Sequence, residues 1–325
     1  KIKKKYRNNK TKFYNKFSDL PFKKLKFDIT ISAIVGIAGL EPTVKFINYS
    51  KKLLLANKES IICGWHIIKK KSLKYKTKII PIDSEHFSID QLTKDYSDAD
   101  IKKIYLTASG GPFLRKPLKN FKNIKAKDAA KHPNWKMGKK ISIDSSNMMN
   151  KVFEVIEAHK LFPFNKNKYE IIVHPQSLVH AIVLFKNGQT KFLYHDTDMI
   201  IPISNAIYEN NIDLKNFIKK QNDFITKFKN LKFEKVDKKR FPIVTLLKKS
   251  FYNNSGPIIL NASNEVLVQK SINAEISFSS IFKHLKAVLR GKDFKKYAIK
   301  KAPTINEIYT IDKWARMKTE KILNG

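Results

Sequence analysis

The stretch HPNWKMGKKISIDSSNMMNKVFE, residues 132–154, gathers His132, Trp135, Ser145, Asn150, Lys151 and Glu154 into one loop-to-helix segment. Asn150 and Glu154 stand four apart and Lys151 and Glu154 three apart, so on a helix an amide, a cation and a carboxylate share a face. Such a trio is either an ordinary solvated stripe of exposed pairs or one wall of a site. Asp144 and Ser145 are the candidate caps of this helix. A second stretch, DSEH, sets Asp83 and Glu85 two apart at a predicted strand end, where alternation points both to the same side. Two such carboxylates, joined by a third from a helix, suit a hard divalent cation that takes oxygen ligands and leaves positions for substrate oxygens. Zinc is the rival, but the eight histidines show no HExxH or comparable spacing and the one cysteine forms no cluster. His86, next in line, fits either a direct contact or a supporting role.

The elements that must position these groups are legible in outline. Residues 28–55 read as a strand, a Gly-containing turn (VGIAGLEPT), a short helix with Val44, Phe46 and Ile47 on its apolar side, and a second strand, KKLLLA. KIIPIDSEH and KKIYLTASGGPF are two further strands with polar or Gly-rich ends, where ligands collect in α/β sheets. ASGGPF offers Ser109 and two glycines for an anion to approach, although many Gly-Gly pairs are plain turns. VGIAGLEP lacks the spacing of a nucleotide fingerprint. Residues 114–140 read as a long polar loop, and covering a bound ligand on closure gives Trp135 a reason to be there. A hairpin with Asn187-Gly188 as its turn follows. Residues 208–234 are a polar connector. Beyond it Ile281, Phe282, Leu285, Val288 and Leu289 mark one helical face ending at Gly291, and Thr304 and Glu307 have capping-box spacing.

The formal charge of +37 suggests nucleic acid at first sight, yet only five of the 65 Lys and Arg residues are Arg. Bidentate phosphate and base recognition favours Arg, and the lysines are spread along the chain. Cys63 lies in the apolar stretch SIICGW and reads as a buried, inert thiol. The uncharged run of residues 29–40 is too short for a membrane span of about 20 residues, and KIKKKYRNNK is no secretory signal.

Taken in order, LLLANKES, PIDSEH, ASGGPF, HPNWKMGKKISIDSSNMMNK and VHPQSLVHA resemble 1-deoxy-D-xylulose-5-phosphate reductoisomerase, from about Asp28 to the C-terminus. The resemblance implies an α/β fold: a truncated Rossmann-like NADPH-binding domain over residues 1–82, with 1–27 an unplaced basic segment. An α/β catalytic domain follows over 83–207 with a lid loop at 109–139, then the connector 208–234 and a C-terminal helical bundle over 235–325. It implies Asp83, Glu85 and Glu154 as ligands of Mg²⁺ or Mn²⁺, with Co²⁺ a further option. Lys58, Ser84 and Glu85 would contact sugar-phosphate hydroxyl and carbonyl groups. Ser109, His132, Ser145, Asn150 and Lys151 would hold the substrate, several of them its phosphate, under a lid carrying Trp135. Asn57, Glu59 and Gly138 match positions that touch NADPH. The implied reaction, in the non-mevalonate isoprenoid pathway, rearranges 1-deoxy-D-xylulose 5-phosphate and reduces it to 2-C-methyl-D-erythritol 4-phosphate. A cytoplasmic homodimer (plastid-type if eukaryotic), with no membrane or nucleic-acid partner, is the family expectation.

The family's opening glycine-rich turn, G-S-T-G-S-I-G, has no match here, so the chain is expected to begin after it and to hold half a cofactor site. Phe87-Ser88-Ile89-Asp90 and Val152-Phe153 replace the usual Asn-Ala-Ile-Phe and Gly-Leu, while the ligand and phosphate positions are intact. Two other readings stand beside the active enzyme: a sugar-phosphate-binding remnant that cannot reduce anything, and a basic nucleic-acid-binding protein on a borrowed fold.

Overall fold

The computed structural model describes residues 11–22, 25–130, 134–135, 137–217, 224–247 and 254–325. Its first sheet is parallel, in the order β1 (Phe27–Ser32), β2 (Ser50–Leu55), β3 (Lys78–Pro81). The crossovers are α1 (Leu40–Phe46) and α2 (Lys58–Tyr75), as parallel pairing demands. The run Leu53-Leu54-Leu55 is buried throughout because both faces are covered. Leu53 and Leu55 join the main core, whereas Leu54 faces Ile80, Ile82 and Ala206. Ala206 belongs to a helix from far along the chain, Ile200–Tyr208. The segment before β1, unplaced by sequence, packs here too: Phe22 lies edge-on to Phe46 at 5.6 Å and tilted against Tyr49 at 5.1 Å.

The second sheet is mixed. β4 (Ile101–Ala108) pairs parallel with β5 (Tyr169–Val173) and antiparallel with β6 (Val179–Phe185). β7 (Thr190–Tyr194) closes the expected hairpin through Asn187-Gly188, with Gly188 at φ 88°. The predicted connector is more structured than its polar composition suggests. It carries the helix Phe224–Lys229 and meets β8 (Glu234–Lys235), which pairs with β5, so the expected boundary at 235 cuts a strand.

Three local expectations are corrected. Asp83 and Glu85 do not alternate along a strand. β3 stops at Pro81 and Asp83 caps α3 (Ser84–Thr93), its carboxylate accepting from the Glu85 N–H. Asp144 and Ser145 lie inside α4 (Lys139–Ser146) instead of capping the next helix. α5 (Met149–Leu161) starts after a break at Met148, in left-handed backbone at φ 68°, with the Asn147 side-chain Oδ1 accepting from the Met149 N–H. The loop of residues 114–140 holds a 3-10 helix, Leu118–Asn123, and one α turn, Ala126–Ala129, which bury Ile124 and Ala129.

The C-terminal part is helical as expected. α6 (Gly256–Ile272), which the sequence reading passed over, is buried on nearly every side and so shows no polar face to mark it. α7 (Ile281–Arg290) buries the anticipated Ile281, Leu285, Val288 and Leu289 and ends at Gly291. α8 (Ile305–Asn324) opens with the Thr304–Glu307 capping box.

Gly110 and Gly111, after β4, both have positive φ, 80° and 64°. A Cβ on Gly111 would lie 2.8 Å from the Ser146 Cα, so the turn presses backbone to backbone against α4. Gly111→Ala is therefore expected to cost about 1–3 kcal/mol, read from urea unfolding. A loss within about 0.5 kcal/mol, the scatter of a neutral surface change, would mean that the turn tolerates a side chain.

Candidate active site

The carboxyl ends of β2, β3 and β4 point to one junction, and α5 crosses it. From β2 the chain runs through Ala56 and Asn57 into α2, so Lys58 opens that helix; Asp83 and Glu85 stand at the start of α3. α5 brings Asn150, Lys151, Glu154 and Glu157 to the same point.

Lys58 Nζ lies 2.9 Å from the Asn150 Oδ1, 3.0 Å from Asp83, 3.3 Å from Glu154 and 3.6 Å from Glu157. Lys151 Nζ donates to Glu85 at 2.5 Å and to Glu154. The Ser84 hydroxyl donates to Glu85 at 2.7 Å, and the Asn150 amide donates to Glu154. The face of α5 is thus no solvated stripe: Glu154 and Glu157 are each 1% exposed and Lys151 5%. His86, wholly buried, sits behind the carboxylates with Nε2 2.9 Å from the Glu154 carbonyl oxygen, which suits the supporting role.

One oxygen from each of Asp83, Glu85 and Glu154 can be chosen so that all lie within 4.8 Å of one another. Burial and the neighbouring charges of Glu154 and Asp83 push the Glu85 carboxyl up to about 8. Burial also raises Glu157, whereas at Asp83 burial is opposed by Lys58, His86, Lys151 and a hydrogen bond with Glu85, which together hold it below the usual carboxylate range. Burial works to discharge Lys58, but Asp83, Glu154 and Glu157 keep it an ammonium ion. Four carboxylates facing two ammonium groups leave room for two more positive charges. A divalent cation would supply both of them.

Asp83, Glu85, Asn150, Lys151 and Glu154 line a cavity of about 280 Å³, with Lys58 and Glu157 behind them, and its wall also includes Ser109, Trp135, Met137, Ser145, Met148 and His180. Trp135 meets His180 edge-on at 6.1 Å, and His180 stacks on His195 at 3.8 Å. Burial holds His180 well below the usual imidazole range, so this wall is neutral. Asn57, Glu59 and Gly138 adjoin the cavity without lining it. Asn57 Nδ2 donates to the carbonyls of Ile34 (2.6 Å) and Gly36 (3.0 Å) and to Glu59, while Glu59 pairs with Lys140 at 2.9 Å. Gly138 precedes α4 and faces open space. His132 lies outside the described residues.

Sequence reasoning missed Glu157, Lys140 and His180. Glu157 carried a usable signal, seven residues from Asn150 and three from Glu154 on one helical face. Lys140 and His180 carried none. Cys63 is buried, as expected, and burial raises its thiol well above the usual range.

Comparison with known proteins places this constellation. The 1-deoxy-D-xylulose 5-phosphate reductoisomerase model matches residues 14–64, and two models of that enzyme's C-terminal domain match 79–162 and 195–318. The reductoisomerase of Pelagibacter ubique is 45% identical over 318 residues, covering 96% of this chain and 81% of the relative. That of Wolbachia from Culex pipiens is 40% identical over 306 residues, covering 93% and 76%. The solved enzyme from Zymomonas mobilis in complex with NADPH superimposes with a TM-score of 0.82 at 31% identity, over 92% of this chain and 76% of that one. A DOX-P reductoisomerase in complex with NADPH, fosmidomycin and magnesium gives 0.84 at 33% identity, over 91% and 76%. Identity and coverage on this scale decide the matter: the chain belongs to the 1-deoxy-D-xylulose 5-phosphate reductoisomerase family.

Proposed function

We propose that this chain catalyses the reaction of its family, the NADPH- and divalent-metal-dependent conversion of 1-deoxy-D-xylulose 5-phosphate to 2-C-methyl-D-erythritol 4-phosphate. The observation that carries the reading is the meeting of Asp83, Glu85 and Glu154 with Lys58 and Lys151, largely withdrawn from solvent, beside a cavity of substrate size. The donor set fits a hard cation: Asp83 and Glu85 at the start of α3 converge with Glu154 of α5, each offering a carboxylate oxygen. Bound there, Mg²⁺ or Mn²⁺ would supply electrostatic stabilisation to adjacent substrate oxygens as negative charge develops on them.

The chain's own residues do the remainder. Lys58 and Asn150 are placed to hold substrate hydroxyl and carbonyl oxygens beside the carboxylates. Lys151, Ser109 and Ser145 offer a cation and two hydroxyls to the phosphate, with His132 as the family's further contact. Trp135, against the neutral His180 wall, excludes water from the junction, which strengthens every charge interaction inside it. Binding energy from the phosphate, remote from the reacting carbons, goes into ordering this cover.

When bound, NADPH would supply a hydride for the reduction. Its fit is supported beside β1, where Ile34 and Val35 are 40% and 78% exposed on the loop that Asn57 pins, an apolar shelf for a flat ring. Asn57 and Glu59 act here by shaping that shelf, and Gly138 leaves its space open. A homodimer is supported by the edge strand β7, where Phe192, Phe224, Ile225 and Phe228 form a half-exposed apolar patch. No helix among the described residues is long and apolar enough to cross a membrane. A cytoplasmic location fits the one buried thiol.

Glu154→Gln is expected to lower kcat/KM by about 100-fold or more, because even groups that merely support metal ligands cost 10–100-fold when removed. The assay is NADPH consumption with 1-deoxy-D-xylulose 5-phosphate and Mn²⁺. Wild-type chain that consumes no NADPH, yet gains Tm with substrate and Mn²⁺, would support the redox-incompetent remnant instead. Steeply salt-dependent retention on DNA without any such gain would favour the nucleic-acid reading. Trp135→Ala should raise KM for the sugar phosphate by about tenfold, the scale of a lost apolar cover of 1–2 kcal/mol; an unchanged KM would remove Trp135 from the lid. Phe228→Asp should shift the sedimentation of a dimer toward monomer, and an unchanged profile would place the interface elsewhere.

A further inference from the structure

We infer that the C-terminal helices α6 and α8 are a working part of the pocket: through a half-buried relay, Arg316–Glu265–Lys140, anchored on buried carboxylates, they set the position of α4. The inference rests on the functional reading above, since α4 carries Ser145 and borders the cavity with Met137 and Ile141.

The relay is built from side chains of four helices. On α8, Arg316 holds Asp312 through Nε at 2.6 Å and reaches Glu265 of α6 through Nη2. The other oxygen of Glu265 lies 3.8 Å from Lys140 Nζ, in the first turn of α4. Lys140 in turn pairs with Glu59, at the start of α2, at 2.9 Å and faces Asp144 at 3.7 Å. Asn264 of α6 donates to Asp144 at 2.8 Å, both residues being buried.

Exposed ion pairs contribute little, but Glu59, Asp144 and Asp312 are at most 6% exposed. Removing one partner here leaves a buried charge uncompensated, and the remaining groups must move to find another. Lys140 is the joint. It is one helical turn before Asp144 and next to the α2 residue Glu59, itself adjacent to Lys58. A shift of Glu265 therefore changes the spacing of α4 and α2, which carry Ser145 and Lys58 to the substrate. Nothing else on α8 needs to touch the cavity for its loss to be felt there.

Arg316 and Lys140 do not touch, which makes their coupling the test. kcat and KM are measured for Arg316→Met, Lys140→Met and the double variant, with Arg316→Lys, which keeps a charge on Glu265, as the rescue. We expect the double variant to depart from the product of the single effects on kcat/KM by about fivefold or more, the range of residues sharing one network. Arg316→Lys should recover most of the loss. Simple multiplication of the single effects, or an Arg316→Met chain with lowered Tm but wild-type kcat/KM well below that Tm, would overturn the inference. Hydrogen exchange of residues 139–146 in the unliganded chain gives an answer independent of turnover. Faster exchange in Arg316→Met, reversed in Arg316→Lys, supports the relay, and unchanged exchange sinks it. If the wild-type chain itself fails to turn over, the functional reading falls while the exchange comparison still decides the relay.

Discussion

Four carboxylates at one junction, Glu154 and Glu157 buried and Asp83 and Glu85 half-buried, set the terms for the rest of this protein. Asp83, Glu85, Glu154 and Glu157 sit among helix starts and strand ends where water is scarce, and an uncompensated charge there costs several kcal/mol. Lys58 and Lys151 answer half of that charge, and each reaches its partners only if the first turn of α2, the first turn of α3 and the middle of α5 keep their spacing. The unanswered half is what gives the site an appetite for a divalent cation. Structure and chemistry are here the same requirement: a fold that failed to bring the lysines in would not be stable, and one that neutralised every carboxylate would have no use for metal.

The scaffold meets this requirement by stopping its strands at the right place. β2, β3 and β4 come from two different sheets, yet their carboxyl ends converge, and short backbone devices finish the approach. Asp83 caps α3 with one oxygen and leaves the other for Lys58. Gly110-Gly111 lets the end of β4 come against the backbone of α4, so Ser109 and Ser145 line one cavity. The left-handed Met148 turns α5 away from α4, which separates the Ser145 hydroxyl from the carboxylate face. A single continuous helix through both segments would have spaced Ser145 and Asn150 by helical geometry alone.

Charge also explains how distant parts of the chain stay in register. The helices α6 and α8, more than a hundred residues beyond the lysines, meet α4 through paired and hydrogen-bonded groups as well as apolar packing. Apolar contact is tolerant of small slips, whereas a buried ion pair is not. The combination gives a continuous core with a few points at which relative position is dictated.

Much of this was legible before any coordinates. The spacing of Asn150, Lys151 and Glu154, the pair Asp83 and Glu85, the Asn187-Gly188 hairpin and the Thr304–Glu307 cap all follow from periods and local hydrogen bonding, which act within a few residues. The quoted motifs identified the family because they carry the chemistry in order. The chain could not declare by itself whether the α5 stripe was solvated or buried, since spacing is identical in both cases and only the partners across the junction decide. The choice of Asp83 as a helix cap over a strand end, the role of Glu157, and the meeting of Lys140 with Glu59 and Glu265 were likewise settled by tertiary structure. Local sequence determines which groups share a face; burial and the charges arriving from elsewhere in the chain determine what that face is for.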